Sequence, residues 1–280
     1  MKVLRSDSMD IAENLAVEEG LLEHGAAMGP TLFLWQSERT VVIGRHQNPW
    51  LECNLANIHR DGGVLARRLS GGGTVYHDRG NLNLSLLLNR DRYQREDPYA
   101  ILIKALHGLG IPADILGRSS IGVDGLKCSG HAFCYRKNRV LHHATLLWDA
   151  DVSTLHKWLG VPPRDIETHA VASEPAEVIN LKSLQSTLEV EAVWSAVEDA
   201  CREHYGGARD IVDLEELHDS EFGERCERYR SWEWTYGRTP AFRFTSGTTG
   251  QRVNIRGGEV EQVEGKGSIR VGLPMADDWL

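Results

Sequence analysis

The strongest constraint on this chain is a run of three glycines, residues 71–73, between two strand-like segments. Arg67 and Arg68 precede the run, and the β-prone residues 74–77 follow it. Residues without a Cβ let backbone N–H groups approach a ligand and form a concave anion-binding nest. Guanidinium groups also suit phosphate and carboxylate. The segment predicts a cradle for an anionic small molecule; a tight glycine hairpin with an ion-paired rim is the alternative.

Two familiar phosphate-binding patterns do not fit this segment. No Gly-Lys-Ser/Thr follows the glycines, so the segment is not a Walker loop. Strand-like residues follow where a dinucleotide fingerprint needs a helix. The cradle therefore belongs to some other class of anion site.

Composition excludes several classes of protein. The 280 residues carry a formal net charge of −9, which argues against a general nucleic-acid binder. The five cysteines are scattered without a Cys-x-x-Cys pair, so neither a disulfide framework nor a zinc site is indicated. The N-terminus lacks a signal-like apolar core, and no apolar run is long enough for a membrane span. We predict a cytoplasmic protein with reduced thiols and no membrane association.

The order of elements indicates an α+β fold with mixed and antiparallel sheets flanked by helices. Helical spacing occurs over residues 9–24, with Asp7 or Ser8 as the cap, and over residues 98–109 and 189–205. Strand patterns occur at residues 31–35, 40–44, 63–68, 82–88, 121–124, 126–134 and 140–148. Hairpin turns, rather than regular βαβ units, join the later strands. From Gly265 onward the chain is predicted to be a loose tail.

The second informative segment surrounds Lys127. Strand alternation would place Lys127, Ser129 and His131 on one face. If that face lines a pocket, Lys127 is a compact positive charge for a carboxylate and a phosphate, and it stabilises negative charge that develops in a transition state. A solvated strand lysine is the alternative.

Two adjacent histidines, His142 and His143, lie in a third apolar segment. Strand alternation sends one ring inward and the other outward. Adjacent histidines rarely chelate one metal ion, and no third ligand has suitable spacing. The inward ring is therefore predicted to be a hydrogen-bonded core or pocket-wall residue.

The motifs occur in an order that resembles lipoate–protein ligase A, within the wider group of biotin and lipoate ligases and octanoyl transferases. The resemblance covers roughly residues 10–245. The matching segments are NLAVEE at 14–19, VVIGRHQNP at 41–49, RRLSGGGTVYHD at 67–78, GNLN at 80–83, KCSGHA at 127–132, LHHATLL at 141–147, VINL at 178–181 and WEWTYGRTP at 232–240.

The resemblance implies a fold, an activity and partners. The fold would be that of a biotin/lipoate ligase catalytic domain over residues 1–230, with a short, reduced accessory segment over residues 231–280. ATP would activate lipoate or octanoate as acyl-AMP, and the acyl group would pass to a lysine of a lipoyl carrier protein. No nucleic acid or membrane partner is implied.

The resemblance also implies site residues. Lys127 would be the catalytic lysine and would touch both the lipoate carboxylate and the α-phosphate. The residues implied for ATP and acyl-adenylate binding, besides Lys127, are Arg68, Gly73, Thr74, Val75 and Tyr76. The residues implied for the lipoate pocket are Trp35, Ser70, Gly72, His77, Gly130, Ala132 and His143.

Two departures from the family pattern concern magnesium and the accessory part. Ser120 stands where relatives often have an aspartate, so Mg²⁺ is expected to arrive mainly with ATP rather than on a protein carboxylate. About 40 residues follow Pro240, so the accessory segment that assists adenylation in relatives is reduced here.

Alternative functions follow from the same segments. Cys128 could carry a thioester in an octanoyl or lipoyl transferase, although it should face away from Lys127. A non-catalytic binder of lipoyl-AMP is another alternative, whereas a biotin ligase fits the glycine segment less well. Because the chain is acidic, carrier recognition would depend on shape around the lysine hairpin or on a local basic patch at Arg67, Arg68 and residues 136–137.

Overall fold

The computed structural model describes residues 1–161, 164–207, 210–211 and 219–280. The chain divides into two units, and each is assembled from three segments. The first unit comprises Met1–Glu38, His77–Val152 and Pro175–Arg225; the second comprises Arg39–Tyr76, Ser153–Glu174 and Cys226–Leu280. The α+β class is confirmed, whereas the domain boundary at residues 230–231 stays a prediction.

An eight-stranded mixed sheet forms the centre of the first unit. Its strands, in pairing order, are β12 (Asp210–Ile211), β1 (Lys2–Arg5), β2 (Thr31–Trp35), β6 (Asn81–Asn89), β10 (Arg139–Leu147), β9 (Leu126–Arg136), β8 (Ser120–Val123) and β7 (Asp114–Leu116). Strand β1 runs parallel to both of its neighbours, and the remaining pairs are antiparallel.

The two faces of this sheet differ in chemistry because side chains alternate along each strand. On one face the leucines of β6 pack with helices α4 (Asp97–Gly108) and α7 (Val190–Tyr205) in a single apolar core. The other face carries Asn81, Asn83 and Ser85 and lies against α1 (Ile11–His24). We call these the helix-pair face and the α1 face.

The predicted long helices correspond to α1, α4 and α7 within two residues at each end. The cap of α1 differs from the prediction, since Asp10 accepts the N–H groups of Ala12 and Glu13 at 2.7 and 3.2 Å. No helix in the described ranges is both long enough and apolar enough to cross a membrane.

A three-stranded sheet in the second unit carries the glycine segment. Strand β3 (Thr40–Ile43) lies between β4 (Val64–Arg67) and β5 (Val75–His77), whose last residue belongs to the first unit. The glycine loop therefore leaves β4 and crosses the end of β3 before β5 begins. Because β4 and β5 are not neighbours, the tight-hairpin alternative is wrong.

A four-stranded antiparallel sheet completes the second unit. Its order is β11 (Ile166–Thr168), β13 (Phe242–Thr245), β14 (Arg252–Arg256) and β15 (Glu259–Glu264). Its apolar side chains share a core with Trp50, Tyr76 and Trp158. The short helices are α2 (Pro49–Glu52), α3 (Leu55–Arg60), α5 (Val152–Leu159), α6 (Leu181–Leu184), α8 (Phe222–Arg230) and α9 (Trp232–Thr235).

The C-terminal residues are ordered against the second unit, so the loose-tail prediction is wrong. Ile269 and Met275 are buried in the core of this unit. The Gln251 amide donates to the Ile269 carbonyl at 3.3 Å and accepts its N–H at 3.0 Å. Widely spaced apolar residues fix this segment, and such spacing gives no periodic signal in a sequence.

Candidate functional site

Lys127 lies on β9 beside a β-bulge. Ile121 pairs with Ser129, and the next residue of β8 pairs with Lys127, so Cys128 is an extra residue in the strand. The bulge interrupts alternation and places Lys127 and Ser129 on opposite faces. The prediction that Lys127 shares a face with Ser129 and His131 is therefore wrong.

Neighbouring backbone fixes the position of Lys127. Its N–H donates to the carbonyl of Glu177 at 2.8 Å, and its carbonyl accepts the N–H of Ile179 at 2.9 Å. The side chain extends over Gly130, where an added Cβ would lie 3.0 Å from both Cε and Nζ of the lysine. The absence of a side chain at Gly130 is therefore what makes room for the ammonium group.

A row of paired residues crosses the α1 face at the position of the Lys127 side chain. The row runs through Trp35, Asn83, Thr145, Gly130 and Ser120. Thr145, Gly130 and Ser120 are half-buried, so this end of the row is accessible. All five residues are uncharged, and Lys127 adds the positive charge.

The residues of this row do not fit a protein-bound magnesium ion. Mg²⁺ prefers carboxylate oxygens, and Ser120 offers only a hydroxyl beside Gly130. A magnesium ion that enters with ATP would take its ligands from the phosphates and from water.

A buried carboxylate of α1, which the sequence did not predict as part of the site, contacts the adjacent row of Ser85 and His143. Glu18 of α1 is 2 % exposed, and both of its oxygens lie 3.3 Å from His143 Nδ1. Ser85 donates a short hydrogen bond to the same carboxylate and accepts the Trp35 indole N–H at 3.0 Å. One signal in the sequence could have identified Glu18: it is an acidic residue on the inward side of an apolar helix.

The five pocket residues that belong to the first unit cluster on the α1 face. Ala132 pairs with His143 in the second row, and Gly130 lies in the first. His77 Nδ1 lies 3.2 Å from Ser37 Oγ, and its ring meets Trp35 edge-on with centroids 5.6 Å apart. Trp35, His77, Gly130, Ala132 and His143 thus all belong to the α1 face of this unit, and Gly130 is the one that the Lys127 side chain covers.

In the second unit, Arg68 shapes the glycine loop. Its guanidinium donates to the carbonyls of Val42, Gly71 and Gly73 at 3.0, 2.7 and 2.6 Å, and to Ser70 Oγ at 3.0 Å. Gly72 has a φ of +83°, which favours glycine strongly. The loop is therefore held from inside by a cation, while Gly72 stays exposed at its tip.

Ser173 closes the other side of the loop. Its hydroxyl accepts the Thr74 N–H at 2.8 Å and donates a short hydrogen bond to the buried Glu52 carboxylate. Thr74 Oγ1 lies 3.1 Å from Glu52 Oε2 and 2.9 Å from Gln47 Oε1. In this conformation the Thr74 N–H serves the loop rather than an anion.

The remaining two residues implied for nucleotide binding, Val75 and Tyr76, follow the loop in β5. Val75 is half-buried. The Tyr76 ring packs edge-on against Trp158, with centroids 5.5 Å apart. The Tyr76 side chain therefore belongs to the core of this unit.

Arg67 is a structural cation, which corrects its interpretation as an anion ligand. It is fully buried and donates to the carbonyls of Gly44, Arg45, Gln47 and Thr235 and to Thr239 Oγ1, at 2.7 to 3.1 Å. Burial lowers its pKa to about 10. Because Arg68 is also buried, neither residue contributes to a surface basic patch.

Cys128 faces the helix-pair core, as predicted from its opposition to Lys127. It is fully buried, and Sγ lies 3.5 Å from the Ile121 carbonyl. Burial raises the pKa of the thiol to about 11. A thiol with that pKa and no access is a poor nucleophile at neutral pH.

A hydrogen-bonded chain of side chains lies on the helix-pair side of the sheet. His142 Nδ1 lies 2.9 Å from Tyr93 Oη, His142 Nε2 lies 3.0 Å from His131 Nδ1, and His131 Nε2 lies 3.2 Å from Ser129 Oγ. The prediction that His142 and His143 point to opposite faces is confirmed. Burial lowers the pKa of His142 to about 3, and burial also lowers the pKa of His131.

The buried His131 and His142 rings predict that the folded protein loses stability in acid. Both rings are neutral in the fold, whereas the unfolded chain protonates them below about pH 6.5. Stability should therefore fall as the pH drops below that value, by about 2–3 kcal/mol between pH 7.5 and 5.5 for the two rings together. Urea unfolding at both pH values measures the change.

A variant and a control assign this pH dependence. His142→Gln should lose clearly less stability than wild type as the pH drops, whereas His24→Gln, at an exposed position, should lose as much as wild type. Equal pH dependence in wild type and His142→Gln would contradict the assignment.

A family model, the lipoyl protein ligase A/B catalytic domain, matches residues 10–202. The crystal structure of P. falciparum LipL1 in complex with lipoate is similar at a TM-score of 0.74 and 28 % identity, covering 94 % of this chain and 84 % of that chain. The crystal structure of lipoate-protein ligase A bound with ATP is similar at a TM-score of 0.70 and 25 % identity, covering 84 % of this chain and 97 % of that chain.

A third comparison supports the fold alone. The bipartite lipoate protein ligase of Thermoplasma acidophilum, described with its E2 lipoyl domain, has a TM-score of 0.70 at 23 % identity, covering 84 % of this chain and 95 % of that chain. The predicted catalytic-domain fold and family are confirmed. The chain belongs to the lipoyl protein ligase A/B catalytic domain family and is an enzyme of that family.

Proposed function

We propose that the protein is an ATP-dependent lipoate–protein ligase that forms an acyl-AMP from lipoate or octanoate and transfers the acyl group to a lysine of a lipoyl carrier protein. The observation that carries this proposal is the Lys127 ammonium over the half-buried Gly130, in a row of otherwise uncharged residues. The LipL1 and lipoate-protein ligase A structures, which hold lipoate and ATP respectively, support the two substrates.

In the first step a lipoate carboxylate oxygen attacks the α-phosphorus of ATP, and pyrophosphate leaves. Both reactants are anions, so their approach is unfavourable without a cation between them. Lys127 supplies a compact charge that counters this repulsion and stabilises the charge that develops on the phosphate.

We assign the nucleotide phosphates to Arg68 and to the backbone of residues 73–76. Arg68 keeps its charge close to the loop while it holds the loop carbonyls. Contact between a phosphate and the Thr74 N–H requires Ser173 to give up its hydrogen bond to that group. Nucleotide binding should therefore rearrange the segment around Ser173.

We assign the acyl chain to the α1 face at Trp35, His77, Ala132 and His143. Ser70 and Gly72, which belong to the second unit, stay assigned to lipoate binding because the family resemblance implies it. Glu18 fixes His143 and, through Ser85, the Trp35 indole, so it positions two of these residues.

In the second step the carrier lysine attacks the acyl carbonyl, AMP leaves and the amine loses a proton. Carrier recognition would use the exposed end of the β9–β10 hairpin at residues 136–137, near the arginines of residues 90–95. This local positive charge in an acidic chain would attract an acidic carrier surface.

One assay tests the proposed function. The protein is incubated with ATP, lipoate and candidate carriers, and mass spectrometry follows the acyl mass increment while pyrophosphate is measured. If the protein releases no pyrophosphate and acylates no carrier, the proposal is refuted. Binding of lipoyl-AMP without turnover would instead identify a non-catalytic binder.

Gly130 provides a test of the lysine position. In Gly130→Ala the new methyl would displace the Lys127 ammonium, which can move because its side chain is flexible. We expect acyl-adenylate formation to fall about 10- to 100-fold, because a catalytic charge loses most of its effect when misplaced by about 1 Å. Pyrophosphate release at saturating ATP and lipoate measures the effect.

Gly108→Ala is the matched control, since an added Cβ there meets nothing within 4 Å. Both variants should unfold at nearly the wild-type temperature. Full activity in Gly130→Ala would contradict the role given to the lysine position.

A further inference from the structure

Three metal-ligating side chains that the proposed reaction does not use meet at the C-terminal end of α1. Glu23 and His24 are the last two residues of this helix, and Glu221 precedes α8. One potential ligand atom from each side chain lies within 4.8 Å of the other two. All three residues belong to the first unit, so the group is contained in one part of the fold.

The spacing within this group fits a metal ion better than a direct hydrogen bond. His24 Nε2 lies 3.7 Å from Glu221 Oε2, which is too far for a hydrogen bond. Ligand atoms at about 2.1 Å from a tetrahedral Zn²⁺ ion lie roughly 3.4 Å from one another. Small rotations of the His24 and Glu221 side chains, both of which are exposed, therefore bring the ligand atoms into one coordination sphere.

The charge around the group favours a divalent cation. Buried Arg225 donates to Asp219 Oδ1 at 2.6 Å, so these two opposite charges offset each other, while its contact with Glu221 Oε2 is longer, at 3.5 Å. The half-buried Glu23 carboxylate has no hydrogen bond or ion pair with any described residue. The C-terminal end of α1 adds partial negative charge beside His24. A dication would compensate the two glutamates.

Arg225 holds Glu221 beside α1. Its Nε donates to the Ala16 carbonyl at 3.2 Å, and its Nη2 packs so closely on Gly20 that an added Cβ there would lie 2.8 Å away. Asp219, which accepts from Arg225, also accepts the Glu221 N–H at 3.0 Å. The backbone of Glu221 is therefore fixed against the helix that carries the other two ligands before an ion binds.

We propose that Glu23, His24 and Glu221 form a binding site for Zn²⁺, with water as the fourth ligand. Imidazole nitrogen and carboxylate oxygen are both ordinary zinc ligands. Mg²⁺ and Ca²⁺ take six or more oxygen ligands, which this group does not supply. Because His24 and Glu221 are exposed, the ion reaches the site directly from solvent. The site is independent of the proposed ligase reaction.

Calorimetric titration with zinc chloride tests this site. The protein carries no polyhistidine tag, is first treated with a chelator, and is titrated without ATP or lipoate. Wild type should bind one zinc ion per chain, and excess Mg²⁺ should not compete. His24→Ala and Glu221→Gln should each weaken binding at least about 10-fold, since the loss of a residue that only supports a ligand already costs about that much.

Two controls separate the site from binding elsewhere on the surface. His156→Ala, at an exposed position of α5, should keep the wild-type affinity. Co²⁺ in place of Zn²⁺ should give wild type a visible absorption band that His24→Ala lacks. Metal-free variants should unfold at the wild-type temperature, because both substituted side chains are exposed. No zinc binding by wild type, or equal affinity in wild type, His24→Ala and Glu221→Gln, would overturn the site.

Discussion

Replacing Lys127 with alanine is expected to lower the rate of acyl-adenylate formation by about 100- to 1000-fold, the usual effect of removing one group that stabilises transition-state charge. No other residue in its row across the α1 face carries a charge. Pyrophosphate release with saturating ATP and lipoate measures the effect. Lys127→Arg should restore little activity, because a planar guanidinium does not fit the space over Gly130.

Cys128 supplies the matched comparison, since it is the next residue but faces the opposite side. Cys128→Ser and Cys128→Ala should form acyl-adenylate at rates within a few-fold of wild type. If the Cys128 variants lost acyl transfer while Lys127→Ala retained it, a thioester transferase would replace the ligase.

The largest effect on stability is expected from Arg67. Arg67→Ala removes the donors for four carbonyls and one hydroxyl in the interior of the second unit. An unpaired buried acceptor costs about 1–3 kcal/mol, and water entering the space offsets part of the sum. We expect the free energy of unfolding to fall by about 3–5 kcal/mol, as measured by urea denaturation.

Two further variants test this explanation. Arg67→Lys should recover only part of the loss, because three donors on a flexible stem cannot reach all five acceptors. Arg252→Ala, at an exposed position, should change stability by less than about 0.5 kcal/mol. Equal stability of Arg67→Ala and wild type would show that the acceptors find other donors.

The sequence predicted the fold class because the class depends on local patterns. Alternation along β10 assigned His142 and His143 to opposite faces. The same rule failed on β9, where Cys128 is an extra residue opposite β8. Which residue bulges depends on the partner strand, and a single strand's sequence does not contain that information.

Local patterns also could not distinguish the roles of two adjacent arginines. Arg67 and Arg68 have the same chemistry, yet one fills the interior and the other holds the glycine loop. The partners of Arg67 are 20 to 172 residues away along the sequence, whereas those of Arg68 are mostly within five residues. Glu18 was missed for a related reason, since His143 is 125 residues distant from it.

The carbonyl cage around Arg67 has a consequence for comparing relatives of this chain. Four of its five partners are main-chain oxygens, which every amino acid supplies. The residues at positions 45, 47 and 235 can therefore vary without loss of the cage, whereas position 67 cannot. The bond from Arg67 to the Thr235 carbonyl joins segments 168 residues apart in the sequence. Covariation between substitutions would not reveal that bond, because its acceptor does not depend on the side chain.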